Sequence, residues 1–417
     1  MAYSPRIVDE ELVTRLASVG AVVIEGPRAS GKTATARERA ASEVLLDLDA
    51  GARAAIAVDP ALVLDGPTPR LIDEWQVEPE IWNHVRRAVD DRDAPGQFIL
   101  TGSAVPADDE TRHTGAGRIG RLRMRPMSLF ESAHSTGEVS LTDLLNGEPA
   151  RSRDPGVTVA GLTERICIGG WPGFQQLGVT QGLTAVRGYL DEIRRTDVNR
   201  VDSSRRDLER VGRLLRSLAR NVATATAITK LAADTGGADG PLARDTIYDY
   251  LNALERLMII EDQPAWAPHL RSRSQARVAA KRHFVDPSLA VAALGASPER
   301  LLRDLNYLGF LFESLVIRDL RIYAQSSDGI VMHYRDSDDL EVDAVVETRD
   351  GRWAAFEIKL GGRAAIEEGV ANLLKFSERV DTTKIGSPAC LGVIVATGYG
   401  YVRPDGAAVI PISALRN

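Results

Sequence analysis

The chain has 417 residues, 44% of them apolar and 26% charged, and a net charge of −7. At roughly 100 to 200 residues per domain, this length predicts two to four domains, and the composition excludes a disordered or fibrous chain. No apolar run approaches the roughly 18 residues that span a bilayer, and the opening MAYSPRIVDEELVTRL lacks the basic-then-apolar pattern of a signal peptide, so the expected location is cytoplasmic, with no membrane partner. Cys167 and Cys390 lie among aliphatic neighbours and read as core. Of the 51 basic residues only six are lysines, so a lysine at a motif position is more informative than an arginine.

Residues 20–33, GAVVIEGPRASGKT, read as a buried strand (Ala21 to Glu25) entering a loop of Gly26, Pro27, Arg28, Ala29, Ser30, Gly31, Lys32 and Thr33, with a helix following. This is a P-loop in a strand-loop-helix setting. Gly26 and Gly31 let backbone N–H groups face phosphates at a helix N-terminus, where the dipole favours negative charge. Lys32 is expected to reach the β- and γ-phosphates and Thr33 to ligate Mg²⁺, so ATP and Mg²⁺ are the expected cofactors. Next, PRLIDEWQ predicts a strand ending in adjacent acids, with Asp73 holding Mg²⁺ through water and Glu74 polarising the attacking water. An aliphatic-Asp-Glu triplet alone reads as a solvated strand end, but its place downstream of a P-loop points to catalysis. The strand Gln97 to Ser103 ends in Thr101 and Ser103, small polar groups placed to sense the γ-phosphate.

Together GPRASGKT, LIDEWQ, FILTGSA, AGRIGRLRMRPMSLFE and IGGWPGF resemble a prokaryotic AAA+-like ATPase family whose C-terminal domain is of unknown function. The resemblance runs over nearly the whole chain with its motifs in order, and it implies an ATP-binding AAA+ core. In such an arrangement Arg118 and Arg121 stand where an arginine finger enters the neighbouring subunit's site, which implies a homo-oligomer.

Ser135 to Gly161 is rich in Gly, Pro, Asp and Arg and reads as an exposed connection with one short helix, LTDLLN, placing the ATPase core at 1–150. Gly169-Gly170-Trp171-Pro172-Gly173 precedes a helix around Thr184 to Asp197, as in the family's lid, with Arg194 or Arg195 as its sensor. From Asp207 three amphipathic helices, then strand-like MIIEDQ and RHFVD, predict a winged-helix-like region that with the lid fills 151–290. Arg244, Thr246 and Tyr248 are candidate major-groove contacts. Pro268 to Phe284 carries Arg271, Arg273, Arg277, Lys281 and Arg282 without an acid, the pattern of a wing that contacts DNA phosphates. A protein-packing module is the alternative for this region.

Residues 291–417 predict a C-terminal α/β domain. A long helix from Leu301 to Tyr323 carries Glu313, and the strands LEVDAVVE and WAAFEIKL carry Asp343 and the Glu357-Ile358-Lys359 tripeptide, with Glu357 and Lys359 on one face. Asp343 and Glu357 can hold a divalent cation and Lys359 can position water. About one acid-x-Lys is expected by chance in such a chain; this one falls on a buried-looking strand after an acid-bearing strand. The order resembles the PD-(D/E)xK nuclease core, with Val342 where a proline is common and Glu313 as an added acid. The expected fold is thus an α/β chain: a P-loop AAA+ parallel-sheet domain, a helical lid and winged-helix-like middle, and a restriction-endonuclease-like C-terminal domain. Two functions remain open, an ATPase coupled to a nuclease-like domain acting on DNA, and an ATP-switched regulatory or DNA-binding protein whose nuclease-like fold is inert.

Overall fold

The computed structural model describes residues 3–103, 114–200, 206–268 and 278–417. The chain divides into two compact units, Met1–Pro126 with Thr196–Arg205 and Asn252–Ile259, and Met127–Arg195 with Arg206–Leu251 and Ile260–Asn417.

The first unit is built on five parallel strands, β1 (Ala21–Glu25), β2 (Ser42–Leu45), β3 (Arg70–Asp73), β4 (Phe98–Gly102) and β5 (Ile119–Arg123), in the order β2-β3-β4-β1-β5. A parallel strand covered on both faces needs apolar side chains on both, which is why β1 reads AVVI without alternation. Ala21, Val23, Ile72, Phe98 and Leu100 pack with Trp75 and Trp82 on one face, and Val22, Ile24, Leu71 and Ile99 with Leu12 and Leu16 on the other. The carboxyl ends of β1, β3 and β4 lie side by side, the rim where open α/β sheets bind ligands.

The second unit holds a six-stranded mixed sheet. Three helices, Leu208–Arg220, Ile228–Gly236 and Arg244–Arg256, the last continuing into the first unit's segment, lead to a hairpin of β7 (Ile260–Gln263) and β8 (Lys281–Phe284), numbered after β6 (Val139–Ser140). The helix Leu305–Gln325 then precedes β9 (Gly329–Arg335), β10 (Glu341–Thr348) and β11 (Trp353–Lys359), an antiparallel run, and the helix Arg363–Arg379 leads to β12 (Cys390–Val395), which lies parallel to β11. β13 (Tyr401–Val402) and β14 (Ala408–Pro411) complete the order β13-β14-β12-β11-β10-β9. Trp266, Trp353, Phe376, Leu373 and Val393 are the centre of its core.

Two expectations change. Ser135 to Gly161 is not merely an exposed connection: Val139, Leu141 and Leu144 are buried, and β6 pairs in parallel with β15 (Leu415–Arg416). Its Gly and Pro content reflects tight turns between anchored pieces. Glu74 also leaves the strand instead of ending it, with a φ of 53° that a non-glycine residue seldom adopts. Among the described residues no helix is long and apolar enough to cross a membrane.

The Gly-Gly-Trp motif is a close-packed joint. A Cβ on Gly170 would overlap the Met127 backbone carbonyl, and Gly170 N–H donates to Asp286 Oδ2 at 2.9 Å while Trp171 Nε1 donates to Ser288 Oγ at 3.1 Å. Gly173 faces open space. Gly170→Ala should therefore destabilise the second unit by at least about 2 kcal/mol, since backbone atoms cannot yield as a side chain can, while Gly173→Ala should stay within about 0.5 kcal/mol of the parent in denaturant melts.

Candidate functional site

The loop after β1 curls because Gly31 takes a φ of 101° and Ala29 one of 59°. Gly26 is required by contact, since a Cβ there would overlap the Met124 carbonyl. From behind, Arg6 donates to the carbonyls of Ser30 at 2.9 Å and Arg125 at 2.8 Å, fixing the loop to the end of β5. Lys32 opens the helix Lys32–Arg37, is buried, and folds back on the Pro27 carbonyl at 2.9 Å. Burial brings its pKa down to about 8, against the opposing pull of Glu74 and Asp73. Its hydrogen-bond partner is the neutral Pro27 carbonyl, and the pull of the two acids does not make up for burial.

Thr33 Oγ1 donates to Asp73 Oδ1 at 2.8 Å, and the Thr101 hydroxyl donates to the same oxygen. Thr101 Oγ1 in turn accepts from Glu74 N–H at 3.2 Å, holding the turn that lifts Glu74 off the strand. The Glu74 carboxylate accepts from Ser103 Oγ at 3.2 Å and from the Gln76 amide. Arg28, Lys32, Thr33, Glu74 and Ser103 line a cavity of about 830 Å³, joined by Gln76, Asp47 and Asp197. Asp197 ends a turn of π-helix, Ile193–Asp197, and pairs with Arg28 at 3.0 Å. It is Asp197 that reaches the cavity from the segment expected to supply a sensor arginine, and Arg194 pairs with Asp191 at 3.3 Å. Arg118 pairs with Asp90 at 2.8 Å, and Arg121 pairs with Glu25 and lies over Trp82 at 5.5 Å; both are about half exposed, and neither lines the cavity.

A second cleft, of about 920 Å³, opens in the other unit and brings Glu313, Asp343, Glu357 and Lys359 together. Ala344 stands opposite Phe356, which sets Asp343 and Glu357 at the next step of the ladder, and the β9–β10 register shifts between Val342 and Val345, so Asp343 sits at a bulge that turns its side chain. Its Oδ2 accepts from Ile358 N–H at 2.9 Å. Glu357 is bound by Lys359 at 2.8 Å and Asn372 at 2.7 Å. The centre is taken by a residue expected elsewhere. Lys281, read from sequence as a DNA phosphate contact, is buried, with its Nζ 2.8 Å from Glu313, 2.6 Å from Glu341 and 3.3 Å from Asp343. Burial alone would lower its pKa, but the Glu313, Asp343 and Glu341 charges hold it well above the ordinary lysine range. Burial pushes Glu313 up to about 8 and Glu357 up to about 7, each reinforced by Asp343.

Of the other DNA candidates, Arg282 pairs with Asp262 at 3.5 Å, Arg244 and Tyr248 are exposed, Thr246 is half-buried, and Arg271, Arg273 and Arg277 lie outside the described residues. Among the described residues no group of three or more His, Cys, Asp or Glu side chains is disposed to hold a metal ion. Sequence reasoning missed Glu341, though period-two alternation puts it on the face of Asp343, and missed Gln76, which lies within the LIDEWQ motif. Asp197 and Arg6 carried no local signal.

Residues 18–133 match a family described as an AAA domain. With the parallel sheet and the loop geometry, this match supports an ATPase-like P-loop domain in this segment. Residues 159–300 and 308–415 match two families each described as a domain of unknown function, DUF8612 and DUF4143. Uncharacterized proteins of Mycobacterium bovis and Mycobacterium tuberculosis are each 26% identical to this chain over 360 residues, 85% of this chain and 73% of the relative. A Walker-type ATPase structure from Pyrococcus abyssi aligns with 69% of this chain and 94% of its own at 14% identity and a TM-score of 0.41.

Burying the Lys32 ammonium against one carbonyl carries a desolvation cost. Lys32→Met should raise the melting temperature of the nucleotide-free protein, by about 1 kcal/mol in unfolding free energy, because the apolar stem stays packed while the desolvated ammonium is removed. A melting temperature at or below the parent's would mean that the Pro27 contact stabilises the loop on its own.

Proposed function

We propose that the protein binds ATP with Mg²⁺ and hydrolyses it, as an oligomer, in a functional layout of an AAA+ core at 1–150, a lid and winged-helix-like region at 151–290 and a nuclease-like domain at 291–417. The matched segments at 18–133, 159–300 and 308–415 follow the same three-part order, the second running past residue 290. The observation that carries the reading is the convergence of Lys32, Thr33, Glu74 and Ser103 on one cavity beside the buried Asp73.

In this reading, backbone N–H groups of Gly26 to Lys32 receive the phosphates and Lys32 exchanges the Pro27 carbonyl for the β- and γ-oxygens. Thr33 and Asp73 present a hydroxyl and a carboxylate 2.8 Å apart, hard oxygen donors that suit Mg²⁺. Bound there, the ion would neutralise charge on the phosphate oxygens. Glu74, steadied by Ser103 and Gln76, orients a water and takes its proton. Lys32→Ala should abolish nucleotide binding in a fluorescent-ATP titration. Glu74→Gln should keep ATP bound while turnover falls by about 10²-fold or more, because the carboxamide keeps the shape of the site without its basicity. Unchanged turnover in both variants would remove the assignment.

The oligomer rests on Arg118 and Arg121, which are half exposed and stand away from the cavity of their own chain. An arginine that acts across an interface makes specific activity rise with protein concentration, and its removal slows turnover by up to about 10³-fold while sparing binding. Arg118→Ala and Arg121→Ala, assayed over a dilution series, test this; concentration-independent activity unaffected by either would leave both as surface residues.

For the middle region, three helices followed by the β7–β8 hairpin support the winged-helix-like reading, and exposed Arg244 and Tyr248 are what remains on the described surface for a DNA contact. For the C-terminal region the inert alternative is favoured by one observation, the burial of Lys281 among Glu313, Glu341 and Asp343. The divalent cation implied by the nuclease resemblance does not fit the residues as they stand. Asp343 is committed to Lys281 and Ile358 N–H, and Glu357 to Lys359 and Asn372.

A further inference from the structure

We propose that the Lys281 ammonium is the resident cation of the C-terminal carboxylate cluster, standing where a nuclease-like site would hold a divalent metal ion. The inference rests on the reading of this region as nuclease-like and inert, and goes beyond it by naming what makes it inert.

Three carboxylates from two elements meet at one nitrogen. Glu313 comes from the helix Leu305–Gln325, and Glu341 and Asp343 from β10; their oxygens stand 2.8, 2.6 and 3.3 Å from Nζ. An ammonium has three N–H donors, so each finds one acid. The lysine is delivered by a fixed element. β8 pairs with β7 so that Lys281 stands opposite Gln263, and Gln263 Nε2 donates to the carbonyls of Met332 at 3.0 Å and Asp343 at 2.8 Å. Two residues along, His283 bridges Gln263 Oε1 at 3.1 Å and Ser314 Oγ at 3.2 Å, and Ser314 is the neighbour of Glu313. The backbone that carries the cation is thus stitched to the backbones that carry two of the anions. A divalent ion could bind these acids only by displacing the ammonium, which would then lose the three counter-charges that offset its burial.

The experiment is calorimetric titration of the full-length, nucleotide-free protein with Mn²⁺, compared with Asp343→Asn, Lys281→Gln and the double variant Lys281→Gln/Glu341→Gln, which removes one acid together with the ammonium. The parent should show no Mn²⁺ site that Asp343→Asn removes. Both Lys281 variants should gain one, at least ~10-fold tighter than anything the parent shows, and saturating Mn²⁺ should raise their melting temperatures. Should Lys281→Gln fold only with Mn²⁺ present, the ion has replaced the lysine, as expected. The proposal is overturned if the parent binds Mn²⁺ through Asp343, or if the double variant folds and gains no site. A nuclease assay separates this outcome from the reading beneath it. Mg²⁺-dependent cleavage of DNA by the parent that Asp343→Asn abolishes would sink both, whereas Mn²⁺ binding by the parent without cleavage would sink only the role of Lys281.

Discussion

The second unit depends on one buried charge. The Arg318 guanidinium lies fully inside the protein, 2.7 Å from Asp286 and 2.7 Å from Asp319. Asp286 also accepts from the N–H of Gly170 and Ser288, and Asp319 from the N–H of Leu129 at 3.0 Å and the Tyr323 hydroxyl at 3.5 Å. Four separated stretches of chain therefore meet at one arginine. Burial raises the Asp319 pKa, and the Arg318 charge works against that rise. Losing one member of such a group leaves its partner charged and unpaired, at about 3–5 kcal/mol, so the cluster tolerates no partial assembly. Arg318 also sits on the helix that bears Glu313, and anchoring the one fixes the height of the other.

Two scarce lysines show how differently burial can be used. Lys32 and Lys281 are both out of water, but the first rests on a single carbonyl and the second on three acids. The same desolvation brings Lys32 down to about 8 and is overcome at Lys281, which is held well above the usual range. A lysine whose nearby acids do not offset its burial is suited to receive a further negative charge from outside. A lysine whose counter-charges are supplied by the chain is closed to that use.

The P-loop was legible because its chemistry is local: Gly26, Gly31, Lys32 and Thr33 must be adjacent for one turn of backbone to face phosphates, and adjacency is what a sequence displays. Asp73 and Glu74 were legible from their place after an apolar pair, but the left-handed turn at Glu74 was not, because it is held by Thr101, a contact across strands. In the C-terminal region Asp343, Glu357 and Lys359 followed from the two strand patterns that carry them. Lys281 did not, since a basic stretch without acids reads as solvent-facing when its partners lie some thirty to sixty residues away. The bulge at Asp343 leaves no compositional mark at all.

The pairing of β6 with β15 joins Val139 to Leu415 and Ser140 to Arg416, among the longest sequence separations that any strand pair here bridges. A ribosome delivers a chain from its N-terminus, so β6 is exposed well before the strand that covers it has been made. The first unit's sheet, whose five strands all precede residue 126, is complete much earlier. High contact order slows closure, and an uncovered edge in the interval invites mispairing. Val139 and Ser140 form only a two-residue strand, too short to template an aggregate while it waits.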